Sequence, residues 1–338
     1  MILSLLAVAL GLVLLIFSAD AFIDGAVGIA TKYHMPKMLI GALIIGVGTS
    51  APEMVVSALS ALAGSPGIAL GNAYGSNIVN ITLVLGVTAL IAPIAIQKDA
   101  LKLDFPWLIG ATILTVVLML DGYFSRLDAI ILLAVMFVNI ATQIYIAKTH
   151  AKAAKESSIL AAYEEAEEEA EEDNELPDPD EVHVGKSLFR LIVGLFVMIG
   201  SSRLIVWGAV ELATLWGLSD LIIGLTIVAI GTSLPELISS IIAARRGEFD
   251  LALGNVLGSN LFNTLAVVGI AAAIEPMAVA AEVLNRDVMV MCAITALLFL
   301  LCAFALRGNG KLGRGVGVGF IACFIGYSTW LAMSALGA

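Results

Sequence analysis

Glu53 and Glu236 stand in matched settings. The first ends the run Gly48-Thr49-Ser50-Ala51-Pro52-Glu53, and the second ends Gly231-Thr232-Ser233-Leu234-Pro235-Glu236. Both glutamates fall well inside long apolar stretches, where a charged side chain costs about 2.5–3.5 kcal/mol to insert. Two such costs at equivalent positions call for a compensating cation. The competing reading is a pair of structural, hydrogen-bonded acids. Thr49 and Glu53 are four residues apart and share a helix face, as do Thr232 and Glu236. Pro52 has no N–H, so the Gly48 carbonyl loses its helical donor, and Pro235 does the same to Gly231. Backbone freed at membrane depth survives only where it lines a cavity or finds another partner. Carbonyls, hydroxyls and carboxylates together make a hard oxygen site suited to calcium or sodium.

A second pair of motifs follows. Asn72, Ser76 and Asn80 recur every four residues, and so do Asn255, Ser259 and Asn263. Each set forms a polar stripe on an otherwise apolar helix, where an unpaired amide is costly. Gly71 with Gly75, and Gly254 with Gly258, are small residues four apart that let helices approach closely.

The elements that must position these residues are membrane spans. Of 338 residues, 60% are hydrophobic and 13% charged, with a mean hydropathy of +1.03. A soluble domain runs nearer 45–50% apolar and about 25% charged, so this excess exceeds what one globular core can bury. Ten apolar stretches are long enough to span: about 2–22, 39–63, 67–92, 105–121, 126–148, 188–214, 220–244, 250–274, 288–306 and 312–335. The net charge of −11 is local: residues 149–187 hold thirteen acids against three bases. Fourteen Lys and Arg residues fall on one side of a ten-span arrangement, and only Arg126 and Arg286 on the other. The positive-inside rule then places both termini outside and the acidic loop in the cytoplasm. The first stretch has no preceding Lys or Arg, unlike a signal peptide.

An offset of 183 residues superposes Gly41–Gly86 on Gly224–Gly269 without gaps, with 20 of 46 positions identical. The same offset pairs Ser18 with Ser201, Gly25 with Gly208 and Asp104 with Asp287. Five spans per copy is an odd number, so the second copy must enter the membrane from the opposite side. The expected architecture is an all-α membrane protein with ten transmembrane helices in two inverted five-helix repeats. Residues 1–148 form the first repeat, 149–187 an acidic cytoplasmic linker and 188–338 the second repeat. Inverted repeats are typical of secondary transporters, with the site at the midplane between them.

Residue inventory argues against other classes. His34, His150 and His183 lie in loops, so there is no zinc motif and no proton-relay histidine in a span. Cys292, Cys302 and Cys323 lie in apolar runs and read as packing residues. Nucleophile–base pairs are missing, which argues against an enzyme. No cofactor, nucleic acid or protein partner is implied; the expected partners are the transported ions and the lipid bilayer.

The doubled Gly-Thr-Ser-x-Pro-Glu and Gly-Asn-x-x-Gly-Ser-Asn-x-x-Asn motifs resemble the alpha repeats of the calcium/cation antiporter superfamily, in particular its prokaryotic sodium/calcium exchangers. The resemblance implies that Glu53 and Glu236, with the backbone oxygens of Thr49 and Thr232, bind calcium, and that the same glutamates help bind sodium. It implies one flanking sodium site from Ser50, Ser76 and the Gly46 carbonyl. The other takes Ser233, Ser259 and the Ala229 carbonyl. Asn80 and Asn263 match a central polar pair. Some relatives, potassium-dependent exchangers among them, carry Asp where this chain has Asn263. Proton-driven relatives carry Glu where this chain has Gly75 and Gly258, which favours sodium as the driving ion. The implied activity is calcium export driven by sodium entry at a shared site in a cell-membrane protein, with spans 1 and 6 sliding across the other eight. A proton/calcium antiporter using the same site is the alternative, and a calcium channel is a rival from another class.

The acidic run from Glu164 to Asp173 is low-complexity sequence that cannot bury a core. Deleting residues 160–180 should therefore leave calcium flux in proteoliposomes within about twofold of the intact chain, since surface segments without packing contribute little. Complete loss in a well-folded deletion would make the linker a coupling element.

Overall fold

The computed structural model describes residues 1–33, 35, 37–64, 66–98, 100–164, 183–215 and 229–336. Among them the chain is helical almost throughout. The elements are α1 (Ile2–Lys32), α2 (Gly41–Thr49), α3 (Ala51–Leu62), α4 (Gly67–Ile91), α5 (Ala100–Leu118), α6 (Arg126–Glu164), α7 (Val184–Leu215), α8 (Ala229–Thr232), α9 (Leu234–Arg245), α10 (Phe249–Ile274), α11 (Val283–Arg307) and α12 (Arg314–Leu336). Among the described residues eight of these are long and apolar enough to cross a membrane, and α2 with α3, bent by 46° at the break, bring the number to nine if the pair is one span. The stretch expected at 220–244 begins outside the described residues; its described part is α8 followed by α9. Helix α6 runs past the expected end of its span to Glu164, so the linker opens as helix; residues 165–182 lie outside the described residues.

Burial follows the rule for a chain whose solvent is lipid. Phe17 and Phe196 are 71% and 70% exposed, while Glu53, Asn80, Glu236 and Asn263 are all at 0%. Large apolar side chains face outward and the charged and amide groups face inward, the reverse of what water would select. The protein is a multi-span membrane protein.

The breaks between α2 and α3, and between α8 and α9, come from the prolines. Ser50 has φ −82°, ψ 2° and Ser233 has φ −88°, ψ 6°, outside the helical well, and the prolines lie at the start of the next helix. A proline is tolerated there because the missing N–H is one that the first helical turn leaves unused. Within α4 and α10 the helical ladder shifts to π geometry over Asn80–Val84 and Asn263–Val267, again 183 residues apart. Such single π turns recur at functional sites.

Two sets of glycines fix the packing. Helices α1 and α7 cross antiparallel along much of their length. A Cβ on Gly11 would lie 3.1 Å from the Ser201 carbonyl oxygen, and one on Gly208 would lie 2.7 Å from that of Ser4. Gly25 meets Ser187 and Leu191, and Gly194 meets Ser18 and Phe22. Gly11 with Gly194, and Gly25 with Gly208, are repeat partners, so each helix offers the same notch to the other. Elsewhere α2 crosses α10 at Gly46 and Gly258. Two-residue strands bind the halves at the ends. Ile94–Ala95 pairs antiparallel with Lys311–Leu312, and Tyr123–Phe124 with Met277–Ala278.

The α2–α10 crossing gives a test. A Cβ on Gly258 would sit 2.1 Å from the Ala42 carbonyl oxygen, so Gly258→Ala must push the helices apart. Overpacking of this kind costs about 1–3 kcal/mol. The melting temperature in detergent should fall by several degrees; an unchanged melt would mean the helices do not touch there.

Candidate ion-binding site

The two helix breaks place Glu53 and Glu236 in the first turns of α3 and α9. Both carboxylates are at 0% exposure, and they are near enough for the charge of one to act on the other. Glu53 is flanked by Thr232 and Ser76, and Glu236 by Thr49 and Ser50. Ser50 Oγ donates to Glu236 Oε1 at 3.4 Å.

The contacts run between halves. Thr49 Oγ1 donates to Asn255 Oδ1 at 3.0 Å and lies 3.2 Å from Ser259 Oγ. Ser259 Oγ donates to the Gly46 carbonyl at 3.3 Å. The sequence grouped Gly46 and Ser50 with Ser76. In the structure the Gly46 carbonyl is taken by Ser259, and Ser50 reaches Glu236, while Ser76 flanks Glu53. The reason is the glycine crossing: α2 packs on α10 of the other half, so a side chain on α2 meets the second half's third span. Ala229 opens the described part of its helix, four residues before Ser233.

The polar stripes divide into two roles. Asn72 Nδ2 donates to the Glu53 carbonyl at 3.3 Å and to Ser57 Oγ at 3.1 Å. Asn255 Nδ2 makes the matched bonds, to the Glu236 carbonyl at 3.2 Å and to Ser240 Oγ at 2.9 Å. These two asparagines hold the helix just after each break. Asn80 and Asn263 begin the two π turns, and neither amide finds a protein partner through nitrogen or oxygen.

Unpaired atoms collect here. Among the described residues, thirteen buried side-chain nitrogens and oxygens have no hydrogen-bond partner. Nine belong to Glu53, Ser76, Asn80, Ser233, Glu236 and Asn263, all singled out from sequence. Each such atom costs about 1–3 kcal/mol if left unmet, so their clustering marks a site built for something other than protein.

Three residues had gone unnoticed in the sequence. Ser57 and Ser240 are identical across the 183-residue offset, and that identity was the signal. Ser202 on α7 donates to the Gly231 carbonyl at 2.6 Å. The carbonyl freed by Pro235 is therefore met by a hydroxyl, one of the two outcomes open to freed backbone at membrane depth. Its counterpart is Ala19, so no pattern of repeated residues could have revealed it.

Fold and site together define a membrane protein with a buried, doubly acidic oxygen site assembled from two similar halves. The sequence profile described as "Sodium/calcium exchanger protein" matches residues 3–145 and 186–333. The chain belongs to the sodium/calcium exchanger family. It is 35% identical over 332 residues to the inner membrane protein YrbG of Escherichia coli, covering 97% of each chain. It is 31% identical over 314 residues to the sodium/calcium exchanger MaX1 of Methanosarcina acetivorans, covering 87% of this chain and 90% of that one. Its fold matches the sodium-calcium exchanger NCX_Mj soaked with 100 mM Na+ and 10 mM Sr2+, with a TM-score of 0.78 and 32% identity over 96% of this chain and 97% of that one.

Asn255→Ala would strip partners from the Glu236 carbonyl and from the Ser240 and Thr49 hydroxyls. Buried groups left unmet cost about 1–3 kcal/mol, so thermal stability should drop clearly. Ser240→Ala, which removes only one of those bonds, should be milder in the same melt; the reverse order would deny Asn255 its bracing role.

Proposed function

We propose that this protein exchanges sodium for calcium by alternating access at one shared site. Calcium is held by the carboxylates of Glu53 and Glu236 and the main-chain oxygens of Thr49 and Thr232. The Thr49 hydroxyl is already engaged with Asn255 and Ser259, which favours its main-chain oxygen as the ligand. Sodium uses the same glutamates with oxygens from Gly46, Ser50, Ser76, Ala229, Ser233 and Ser259. Asn80 and Asn263 form the polar pair between them. The unpaired oxygens and nitrogens clustered around two buried carboxylates are the observation that carries this reading.

The mechanism follows from charge. Two carboxylates moved through an apolar barrier without cations carry a prohibitive solvation penalty. With one calcium or with sodium ions bound, the charge is met and the barrier can be crossed. Both ions need the same carboxylates, so they bind in turn and exchange. The ten-span, inverted-repeat arrangement, with residues 149–187 as a cytoplasmic linker and both termini outside, supplies two equivalent end states. The antiparallel packing of α1 on α7 through repeat-related glycines supports that arrangement.

Sodium is favoured over protons as the driving ion. Gly258 stands where proton-driven relatives carry a glutamate, and here even a Cβ would meet the Ala42 carbonyl. Asn263, with no charge, argues against potassium as a co-substrate. Calcium export is the direction a sodium gradient directed inward would drive.

The test is radiolabelled calcium uptake into proteoliposomes under imposed sodium, potassium or proton gradients. Uptake should follow the sodium gradient with the pH gradient collapsed. Flux that follows only protons would favour the proton antiporter, and flux without any counter-ion would favour a channel. Glu53→Gln and Glu236→Gln each remove one of two charges facing the ion. A loss on the order of 3 kcal/mol is expected, about a hundredfold in calcium affinity, in protein that still elutes as a folded species. Near-normal flux in either variant would sink the shared site.

A further inference from the structure

The 183-residue repeat makes the two end states of such a protein nearly equivalent, so whatever distinguishes them must lie in residues the repeat does not share. One group of charges meets that condition. Arg246, just after α9, is paired with both Asp20 and Asp24 of α1, and Arg190 of α7 lies 3.3 Å from Asp24. The repeat partners of Arg246, Asp20, Asp24 and Arg190 are Ala63, Arg203, Trp207 and Ala7. The opposite end of the molecule therefore has no equivalent pairing from these positions.

The packing is lopsided in the same sense. Helix α1 lies along α9, where Ile23, Ala26 and Ala30 share a buried cluster with Ala243 and Ala244. Among the described residues, the matching contact of α7 with α3 is at most slight. In the state exchanged by the pseudo-symmetry, α1 would stand to α9 as α7 now stands to α3, so the α1–α9 seam would open. The two pairs from Arg246 cross that seam. The Arg190–Asp24 pair joins α1 to α7, which are locked to each other by their glycines and travel together.

We propose that Arg246 with Asp20 and Asp24 is a one-sided latch that holds α1 against α9 and biases the protein toward the state in which the Arg246 end is shut. The Lys and Arg bias places that end in the cytoplasm, so the latch favours the outward-facing state. This rests on the exchange reading above. Because the charges are partly exposed, the bias is modest and weakens with added salt.

The test uses reconstituted full-length protein with Cys292, Cys302 and Cys323 replaced and Ala243→Cys introduced. Ala243 is 1% exposed within the α1–α9 seam, so its modification by a water-soluble thiol reagent reports seam opening. Arg246→Gln should raise the modification rate at least about threefold, in line with the loss of two surface pairs. Asp20→Asn with Asp24→Asn should do the same. Arg246→Lys, which keeps the charge facing both aspartates, should keep most of the slow rate, and Arg190→Gln should leave it within error. Melting temperatures measured in parallel exclude general loosening. Equal rates in the parent and Arg246→Gln, or an equal rise in Arg190→Gln, would overturn the latch. Calcium flux in the same vesicles separates the two ideas: normal flux with unchanged rates overturns the latch alone, whereas absent flux in the parent overturns the exchange reading.

Discussion

Two carboxylates at zero exposure govern the rest of this structure. Among the described residues, no cationic side chain acts on Glu53 or Glu236, and three of their four carboxylate oxygens lack a hydrogen-bond partner. The penalty for such an arrangement is large unless a cation enters. Every neighbouring feature serves that condition. Hydroxyls and amides of both halves surround the acids, and the nearest bonds that the protein does make go to backbone carbonyls and to other hydroxyls.

The helix breaks are the second requirement. A continuous helix would turn its carbonyls along its own axis and offer a passing ion only side chains. Pro52 and Pro235 interrupt the ladder, Ser50 and Ser233 leave the helical well, and the following turn carries a glutamate. The break would be loose without bracing. Asn72 and Asn255 supply it by bonding to the carbonyl of each glutamate, and Ser202 meets the Gly231 carbonyl on one side only. Bracing of this kind fixes the polar groups around the break in place, which is what the proposed ion binding needs if it is not to order them itself.

Glycine determines which surfaces are joined closely. At Gly46 and Gly258 it brings α2 against α10, so that polar groups of one half face polar groups of the other. On α1 and α7 it makes matching notches that lock the pair to each other. Outside that pair, α1 is held to the remainder by apolar contacts and by partly exposed charges, interactions that are individually weak. A strongly joined pair against a weakly held seam is the division that the proposed alternating access would need.

Much of this was legible in the chain. The placement of most spans follows from hydropathy, because lipid forces the backbone into helices and leaves length and polarity as the remaining signals. The acids, serines and asparagines of the site stood out because they repeat at a fixed offset in an apolar background, where a polar residue without a task is expensive. What the sequence could not show is which oxygen meets which. Ser50 with Glu236, Ser259 with Gly46 and Thr49 with Asn255 are contacts across about two hundred residues of chain, and the crossing of α2 on α10 decides them. The π turns at Asn80 and Asn263 were hidden for a similar reason, since a shift in the hydrogen-bond ladder leaves no mark on side-chain spacing. Ser202 and Arg246 lie outside the repeat pattern, so only their neighbours in space reveal their partners. Local chemistry is written in residue type and period; pairings between distant segments depend on how the helices pack, and that is a property of the folded molecule.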